Sequence, residues 1–203
     1  MKVVIVDYGM GNIESVKGAL KYLGVDKIIL SNKLEDIRSA DKLILPGVGS
    51  FPSAMKNIKN FALIEPLKAE VNDFKKPILG ICLGMQLMCK SSNEGIKTEG
   101  LGFIDGDVEG FLDTKLNTLH VGFDQVKKND NSRLLHNLDE TADFYFVHSY
   151  KVLSNSDIGQ SMCDYGGDFI ACYEKDNIAG VQFHPELSQS NGMKLISNFI
   201  EYF

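Results

Sequence analysis

The most constraining feature of this 203-residue sequence is a cysteine at a short strand-to-helix junction. Residues 78–81 are an apolar run directly after Pro77, which predicts a buried parallel strand. A helix is predicted immediately after this strand from the helical spacing of Leu83, Gln86, Leu87 and Lys90. Cys82 lies between the two elements, with Gly80 and Gly84 on either side. Small neighbours at such a turn are typical of a nucleophile elbow, here with cysteine in the nucleophile's position.

This junction has three chemical consequences if it folds as predicted. The sulfur of Cys82 would project from the carboxyl end of a strand, where open α/β sheets bind ligands. It would lie at a helix N-terminus, which favours the thiolate, and the amide of Leu83 would be free to stabilise a developing oxyanion. The alternative is a buried structural cysteine between two packing glycines. A base elsewhere in the sequence decides between these two interpretations.

The composition indicates a globular protein rather than a nucleic-acid binder or a membrane protein. Hydrophobic residues make up 44% of the chain and charged residues 24%, and the formal net charge is −6, without a Lys/Arg-rich stripe. The apolar run at residues 3–6 is too short for an export signal or a membrane span. A length of 203 residues suits one core, so we expect residues 1–203 to form one domain.

The cysteines and histidines give no metal-binding signal. The 4 cysteines show no paired spacing, which indicates a reducing, cytoplasmic environment. Neither a C-x-x-C nor an H-E-x-x-H motif is present. The sequence therefore predicts a cytoplasmic protein without a metal ion, and no cofactor is expected.

The order of predicted elements indicates the fold class. In the first half, strands are predicted at residues 3–6, 28–30, 43–45 and 78–81, and helices at 13–23, 53–60 and 63–74. After a polar loop at 91–95 come short strand-like runs at residues 101–111, 118–126, 144–152, 158–162, 169–173 and 178–183, and then an amphipathic helix at 193–200. We therefore predict an α/β fold: a doubly wound open sheet, mostly parallel, with an antiparallel β-rich second half.

Two glycine-containing loops follow predicted strands. The loop at residues 7–12 contains Gly9-Met10-Gly11, which lacks the third glycine of a dinucleotide fingerprint, so a loop facing a substrate or partner is favoured over nucleotide binding. In the loop at residues 46–51, two glycines surround Val48 and would let a backbone amide turn towards a ligand. A simple turn explains this second stretch equally well.

A candidate base lies near the end of the sequence, where a predicted strand leads into His184-Pro185-Glu186. The proline fixes the backbone so that the carboxylate of Glu186 can reach the imidazole of His184, set its tautomer and stabilise its protonated form. His184 is therefore the predicted general base for Cys82, because catalytic partners can be distant in sequence and adjacent in the fold. The competing histidines are His120, His136 and His148.

Together these motifs resemble a known enzyme family. Residues 80–86, Gly-Ile-Cys-Leu-Gly-Met-Gln, and residues 184–186, His-Pro-Glu, are similar to the triad class of glutamine amidotransferases. Four further stretches narrow the resemblance to the glutaminase subunits of imidazole glycerol phosphate synthase: residues 7–12, 45–51, 120–123 and 144–150. The resemblance spans nearly the whole chain, and the motifs are specific in combination.

The resemblance implies hydrolysis of glutamine to glutamate and ammonia, with a role for each matching residue. Cys82 would be the nucleophile, His184 the base and Glu186 the residue that orients the base. The oxyanion hole would be formed at Leu83, Val48 and Gly49. The glutamine would be held by Gly47, Gln86, Glu94, His148, Ser149 and Tyr150. The partner would be a (β/α)₈-barrel cyclase that uses the ammonia in histidine biosynthesis, and it would contact Asn12, Phe123, Tyr145 and Leu187.

Three positions depart from the family pattern. Phe123 stands where tryptophan is usual, Asp124 where asparagine is common and Leu187 where lysine is usual. All three lie on the expected partner face and outside the hydrolytic centre. One explanation is sequence drift at these positions that is compensated by changes in the partner. The other is a paralogue that supplies ammonia to a different synthase, such as a sugar amidotransferase in surface-glycan biosynthesis.

The residues leave two other classes of protein open. The elbow could belong to a cysteine hydrolase that acts alone, either a peptidase or a γ-glutamyl hydrolase; Gln86 and the loop at residues 46–49 argue against it. A non-enzymatic binding module is the second alternative. The joint presence of Cys82, His184 and Glu186 argues against that class.

Overall fold

The computed structural model describes residues 1–111 and 119–203, and these contain a large sheet, a small sheet and six α-helices. The strands are β1 (Lys2–Val6), β2 (Lys27–Ser31), β3 (Lys42–Leu45), β4 (Ile78–Ile81), β5 (Ser91–Ser92), β6 (Thr98–Glu99), β7 (Asp107–Gly110), β8 (His120–Lys127), β9 (Thr141–His148), β10 (Tyr150–Leu153), β11 (Ser161–Asp164), β12 (Asp168–Lys175) and β13 (Ile178–Val181). The helices are α1 (Ile13–Tyr22), α2 (Leu34–Arg38), α3 (Phe51–Asn60), α4 (Ile64–Lys68), α5 (Leu83–Leu87) and α6 (Gln189–Tyr202).

The large sheet has the strand order β2-β1-β3-β4-β13-β12-β11-β8-β9. The strands from β2 to β13 in this order are parallel, and the strands from β12 to β9 continue the sheet with antiparallel pairing. The small sheet has the order β10-β7-β5-β6. The predicted fold class, a mostly parallel open sheet with an antiparallel second half, is confirmed.

Both faces of the large sheet are covered by helices, as the continuous apolar runs of its first strands require. Adjacent residues of β1 alternate between the two faces: Val3 and Ile5 pack on one side, and Val4 and Val6 pack on the other. Helices α1 and α6 cover the first face through buried side chains such as Leu20. Helices α2 to α5 and the small sheet cover the second face.

The helix after Cys82 is shorter than its apolar spacing predicts. It ends at Leu87, so Lys90, which the spacing placed on this helix, lies outside it. The reason is that later residues take up the hydrogen bonds at its end: the amide of Leu101 donates to the carbonyl of Leu87 across 2.8 Å, and the amide of Phe103 donates to Met88 across 2.8 Å.

The predicted strand at residues 144–152 is two strands in different sheets. The chain breaks at Ser149, between β9 of the large sheet and β10 of the small one. Two other runs also differ: β13 is parallel to β4 rather than antiparallel, and the polar loop at residues 91–95 begins with β5. Of the run at residues 101–111 only Asp107–Gly110 forms a strand, and Thr118 lies outside the described residues.

Among the helices of residues 1–111 and 119–203, none combines the length and the apolar content of a segment that crosses a bilayer.

Candidate active site

Three neighbouring parallel strands of the large sheet have their carboxyl ends side by side, and the candidate residues follow directly after these ends. Leu45 of β3 pairs with Gly80 of β4, and Gly80 pairs with Gly180 of β13. The chain leaves β3 into the loop at residues 46–51, leaves β4 into Cys82 and leaves β13 towards His184. Because parallel strands end at a common edge, segments far apart in sequence meet there.

Cys82 has the backbone conformation of a nucleophile elbow. Its φ is +51° and its ψ is −109°, which is unfavourable for a residue with a side chain. Neighbouring segments hold it in place, since its amide donates to the carbonyl of Val181 across 2.7 Å. The turn needs glycine at Gly84, where a Cβ would lie 1.8 Å from the carbonyl oxygen of Leu45. The role of the flanking glycines is therefore close approach between backbones.

The thiol and the imidazole lie in one small cavity of about 250 Å³. The cavity is lined by Val48, Gly49, Cys82, Leu83, Gln86, Glu94, Val147, His148, Ser149, Tyr150 and His184. Every cavity residue that the sequence predicted is present except Gly47 and Glu186. Gly47 packs against Gly84, and Glu186 is hydrogen-bonded to the ring of His184.

His184 and Glu186 form a buried pair. Nδ1 of His184 lies 2.8 Å from Oε1 of Glu186, and their side chains are only 3% and 1% exposed. Because a carboxylate only accepts hydrogen bonds, Nδ1 carries the proton that is shared with it. Nε2 of His184 has no hydrogen-bond partner among the described residues and is the atom left for proton transfer.

The charge state of His184 is set by opposing influences. Burial disfavours the imidazolium, but the neighbouring Cys82 and Glu186 side chains outweigh it and raise the pKa of His184 to about 10. The site therefore favours a protonated imidazole ring beside the sulfur of Cys82.

The predicted oxyanion residues lie beside the sulfur. Leu83 is the first residue of α5, and the first amides of a helix have no partner within it. Val48 and Gly49 form the opposite rim, and Gly49 has a φ of +113°, which favours glycine. Gly47 supports this rim from behind: a Cβ there would lie 2.8 Å from the amide nitrogen of Gly84.

The wall predicted to hold glutamine contains one carboxylate and several main-chain groups. Glu94 accepts a hydrogen bond from the amide of Phe51 at Oε2, across 2.8 Å, and its carboxylate borders the cavity. Gln86 donates from Nε2 to the carbonyl of Tyr150 across 3.0 Å. Strand β10, which begins directly after Ser149, is thereby tied to helix α5.

His148 and His120, two of the competing histidines, form a second buried pair. Nδ1 of His120 lies 3.0 Å from Nε2 of His148, whose Nδ1 lies 2.8 Å from the carbonyl oxygen of Tyr150. Burial lowers the pKa of His148 to about 3, although its hydrogen bond to Tyr150 acts in the opposite direction. His148 is therefore neutral and cannot replace His184 as the charged partner of Cys82.

The residues predicted to face a partner lie close to the triad, on the surface. Phe123 is 51% exposed and packs against Tyr145 with ring centroids 5.5 Å apart, and Leu187 is 42% exposed. Asn12 also contacts the triad, because its Nδ2 donates to Oε1 of Glu186 across 3.4 Å.

Two contacts with the sulfur of Cys82 were not predicted from the sequence. Gln182 is fully buried and donates from Nε2 to the sulfur of Cys82 across 3.6 Å. The carbonyl oxygen of Val147 lies 3.9 Å from the same sulfur. The sequence signal for Gln182 was its place two residues before His184, in the segment that follows β13.

In the described parts of the chain, no group of three or more histidine, cysteine, aspartate and glutamate side chains is arranged to hold a metal ion.

The comparison with protein families gives the class to which this fold and site belong. The family model for class-I glutamine amidotransferases matches residues 4–202. The chain belongs to the class-I glutamine amidotransferase family.

Curated relatives are more specific. The chain is 45% identical to "Imidazole glycerol phosphate synthase subunit HisH 1" of Campylobacter jejuni (strain RM1221), over 98% of each chain. It is 47% identical to "Imidazole glycerol phosphate synthase subunit HisH 2" of Methanococcus maripaludis, again over 98% of each chain. It is 40% identical to "Imidazole glycerol phosphate synthase subunit HisH" of Aquifex aeolicus, over 98% of this chain and 96% of the relative.

Solved structures support the fold. A crystal structure of a glutamine amidotransferase aligns with a TM-score of 0.73 at 18% identity, covering 98% of this chain and 97% of the other. The structure of PurLQS from Thermotoga maritima aligns with a TM-score of 0.70 at 18% identity, covering 99% of this chain and 98% of the other. At this level of identity the likeness extends to the fold alone.

Proposed function

We propose that this chain is the glutaminase subunit of an imidazole glycerol phosphate synthase. The observation that carries the proposal is the single cavity that holds the thiol of Cys82 and the imidazole of His184, with Glu186 hydrogen-bonded behind the ring. The choice of imidazole glycerol phosphate synthase among possible synthases is supported by the names of the curated relatives. We further propose that residues 1–203 act as one domain in the cytoplasm, where the buried free cysteines would stay reduced.

Glutamine binding uses the wall of the cavity opposite the triad. The carboxylate of Glu94 would receive the substrate's ammonium group, while its other oxygen keeps the hydrogen bond to Phe51. Main-chain groups at Ser149 and Tyr150 would hold the substrate's carboxylate. These contacts place the side-chain amide of glutamine against the sulfur of Cys82.

Acylation begins when the thiolate of Cys82 attacks the side-chain carbonyl carbon of glutamine. The carbonyl oxygen becomes an oxyanion, and amides at Leu83 and at the Val48–Gly49 rim would stabilise it by about 3 kcal/mol per donor. The imidazolium of His184 donates the proton on Nε2 to the departing nitrogen. Ammonia leaves, and a glutamyl thioester remains on Cys82.

Deacylation reuses the same groups. His184, now neutral, takes a proton from a water molecule at Nε2, while its Nδ1 keeps its own proton in the hydrogen bond to the carboxylate of Glu186. The resulting hydroxide attacks the thioester carbonyl, and the carbon–sulfur bond breaks. Glutamate is released, and the thiolate and imidazolium are restored.

The ammonia must reach a second active site before solvent protonates and dilutes it. We therefore propose that the chain works as a heterodimer with a (β/α)₈-barrel cyclase, which would dock on the face that carries Phe123, Tyr145 and Leu187. The cyclase would join the ammonia to a ribulosyl aminoimidazole-carboxamide substrate. The glycines of the loop at residues 46–50 would allow a peptide flip that completes the oxyanion hole when the partner is bound.

The proposal is tested with Cys82→Ala in the reconstituted synthase. We expect loss of glutamine-dependent synthesis, because the nucleophile is gone, and unchanged synthesis from free ammonia, because the cyclase does not use the thiol. Cys163→Ala, which removes another buried cysteine, is the matched control and keeps both activities. Glutamine turnover at the wild-type rate in Cys82→Ala would refute the glutaminase assignment.

The choice of synthase is tested by complementation. We expect the gene to restore growth without histidine to a strain that lacks its own glutaminase subunit, when supplied together with the cognate cyclase. Failure to complement with an active glutaminase would assign the ammonia to another synthase.

A further inference from the structure

Two buried amide side chains connect the sulfur of Cys82 to the main chain of strand β10. Gln182 donates from Nε2 to the sulfur across 3.6 Å, and its Oε1 accepts a hydrogen bond from Nε2 of Gln86 across 2.9 Å. Gln86 donates from the same nitrogen to the carbonyl of Tyr150 across 3.0 Å. Gln182 is 0% exposed and Gln86 is 5% exposed, so water does not compete for these bonds.

The orientation of both amides follows from one main-chain group. The carbonyl of Tyr150 can only accept, so the end of Gln86 that faces it must be the NH₂ group. That NH₂ group also points at Gln182, which must therefore present its oxygen to Gln86. The NH₂ group of Gln182 is then left to face the sulfur. Gln182 consequently always offers a donor, and never its carbonyl oxygen, to Cys82.

A donor in this position suits the anionic sulfur. Hydrogen bonding to the charged form of a group favours that form, and buried bonds to charged groups are stronger than neutral ones. The ionisable side chains that line the cavity beside the sulfur are His184, His148, Glu94 and Tyr150, and the buried Tyr8 also acts on it. Only His184 among these brings a positive charge, and it must give up its proton during acylation.

We propose that Gln182 is a positioning residue that holds and stabilises the thiolate of Cys82, and that Gln86 fixes the amide of Gln182 in the donating orientation. The inference rests on the proposed function in treating Cys82 as the nucleophile. Its contribution is greatest before the sulfur attacks glutamine and again when the carbon–sulfur bond of the thioester breaks, because the sulfur carries negative charge at those two stages.

The proposal also explains why side chains join helix α5 to strand β10. Gln86 lies on α5, Tyr150 begins β10, and Gln182 follows β13. The amides thus tie three elements to one sulfur. A shift of the Tyr150 strand on substrate binding would change the orientation of Gln182 through Gln86.

The test measures the alkylation of Cys82 in the full chain by iodoacetamide, a neutral reagent that needs neither glutamine nor the partner. The rate on the Cys82 peptide is followed by mass spectrometry over a series of pH values. In Gln182→Met, which keeps the size but removes the donor, we expect the midpoint of the alkylation profile to rise by about one pH unit. In Gln86→Leu it rises by a smaller amount.

Asn198→Leu is the control for the loss of buried hydrogen bonds. Asn198 lies on α6 and is 2% exposed, and its side chain donates to the carbonyls of Leu134 and His136, which do not line the cavity. We expect this variant to lose stability without any movement of the Cys82 midpoint. An unchanged midpoint in Gln182→Met would overturn the proposal, and an unchanged midpoint in Gln86→Leu would overturn the part assigned to Gln86.

A measurement on the unaltered side chain keeps the proposal testable if Gln182→Met does not fold. The side-chain amide protons of Gln182 should shift in ¹H–¹⁵N spectra with the same midpoint as Cys82 alkylation, and Cys82→Ser should abolish this titration. Amide resonances that do not titrate would overturn the role proposed for Gln182 and leave the glutaminase assignment intact. A Cys82→Ala variant that still hydrolyses glutamine would instead overturn the proposed function.

Discussion

The backbone amide of His184 donates to the carbonyl oxygen of Tyr145 across 2.8 Å. Ser188 reinforces this link, because its hydroxyl donates to the carbonyl of His184 across 2.6 Å and accepts from the amide of Tyr145 across 2.9 Å. The candidate base is therefore fixed to the outermost strand of the large sheet. Since the ring of Tyr145 packs on the exposed Phe123, a partner that covers these rings would press on the strand that positions His184.

Phe123→Ala should weaken the complex with the cyclase. Removal of a half-exposed aromatic ring at the centre of an interface costs about 1–3 kcal/mol, which corresponds to roughly a 5- to 150-fold rise in the dissociation constant. Phe74→Ala is the matched control, since Phe74 is 72% exposed and lies outside the predicted partner face. Titration calorimetry measures both. Equal affinities for the two variants would contradict the assignment of this face.

Glu186→Gln should lower the glutaminase rate at neutral pH by about 10²- to 10⁴-fold, because an amide no longer sets the tautomer of His184. The carboxylate helps to raise the pKa of His184, so its loss lowers that pKa. The imidazolium is then lost at lower pH, and the alkaline limb of the kcat/KM profile moves towards neutral pH. Glu201→Gln, at an exposed position of α6, controls for the loss of charge. An alkaline limb that does not move would contradict the pairing.

Glu94→Gln should raise the KM for glutamine by about 10- to 100-fold and change kcat less. The variant keeps an oxygen for the amide of Phe51 but loses the charge that would attract the substrate's ammonium group. Glu99→Gln, an exposed residue of β6 outside the cavity, is the control. Steady-state kinetics of the complex separates KM from kcat. A fall in kcat at constant KM would show that Glu94 does not bind the ground-state substrate.

Gly84→Ala should destabilise the chain and abolish glutamine turnover. The new Cβ would overlap the carbonyl of Leu45, which is backbone and cannot rotate away, and overpacking of this kind costs about 1–3 kcal/mol or more. Gly18→Ala provides the contrast, since nothing lies within 4 Å of a Cβ at that position of α1. It should stabilise the chain by roughly 0.5–1 kcal/mol. Urea unfolding measures both, and equal stabilities would contradict the packing at the elbow.

The sequence was sufficient for features that depend on local pattern. Continuous apolar runs located β1, β3 and β4, because strands buried on both faces need no alternation. A similar run located β2, although this strand lies at the edge of the sheet and is partly exposed. Glycines at fixed spacing around Cys82, and the His184–Glu186 pair beside a proline, identified the catalytic candidates, because each pattern is confined to a few residues.

Features that depend on neighbours distant in sequence were missed. The break at Ser149 has no local signal, since apolar residues continue on both sides of it while β9 and β10 join different sheets. The parallel direction of β13 follows from its insertion beside β4, which the hairpin from β12 does not specify. The contact of Gln182 with Cys82 likewise exists only because β13 and β4 are adjacent.

The most direct measurement is the site of labelling by an electrophilic glutamine analogue, determined by peptide mass spectrometry on the complex with the cyclase. We expect a single adduct, on Cys82, that glutamine prevents and that His184→Ala slows. An adduct on Cys89, Cys163 or Cys172, or an active complex that the analogue leaves unlabelled, would contradict it.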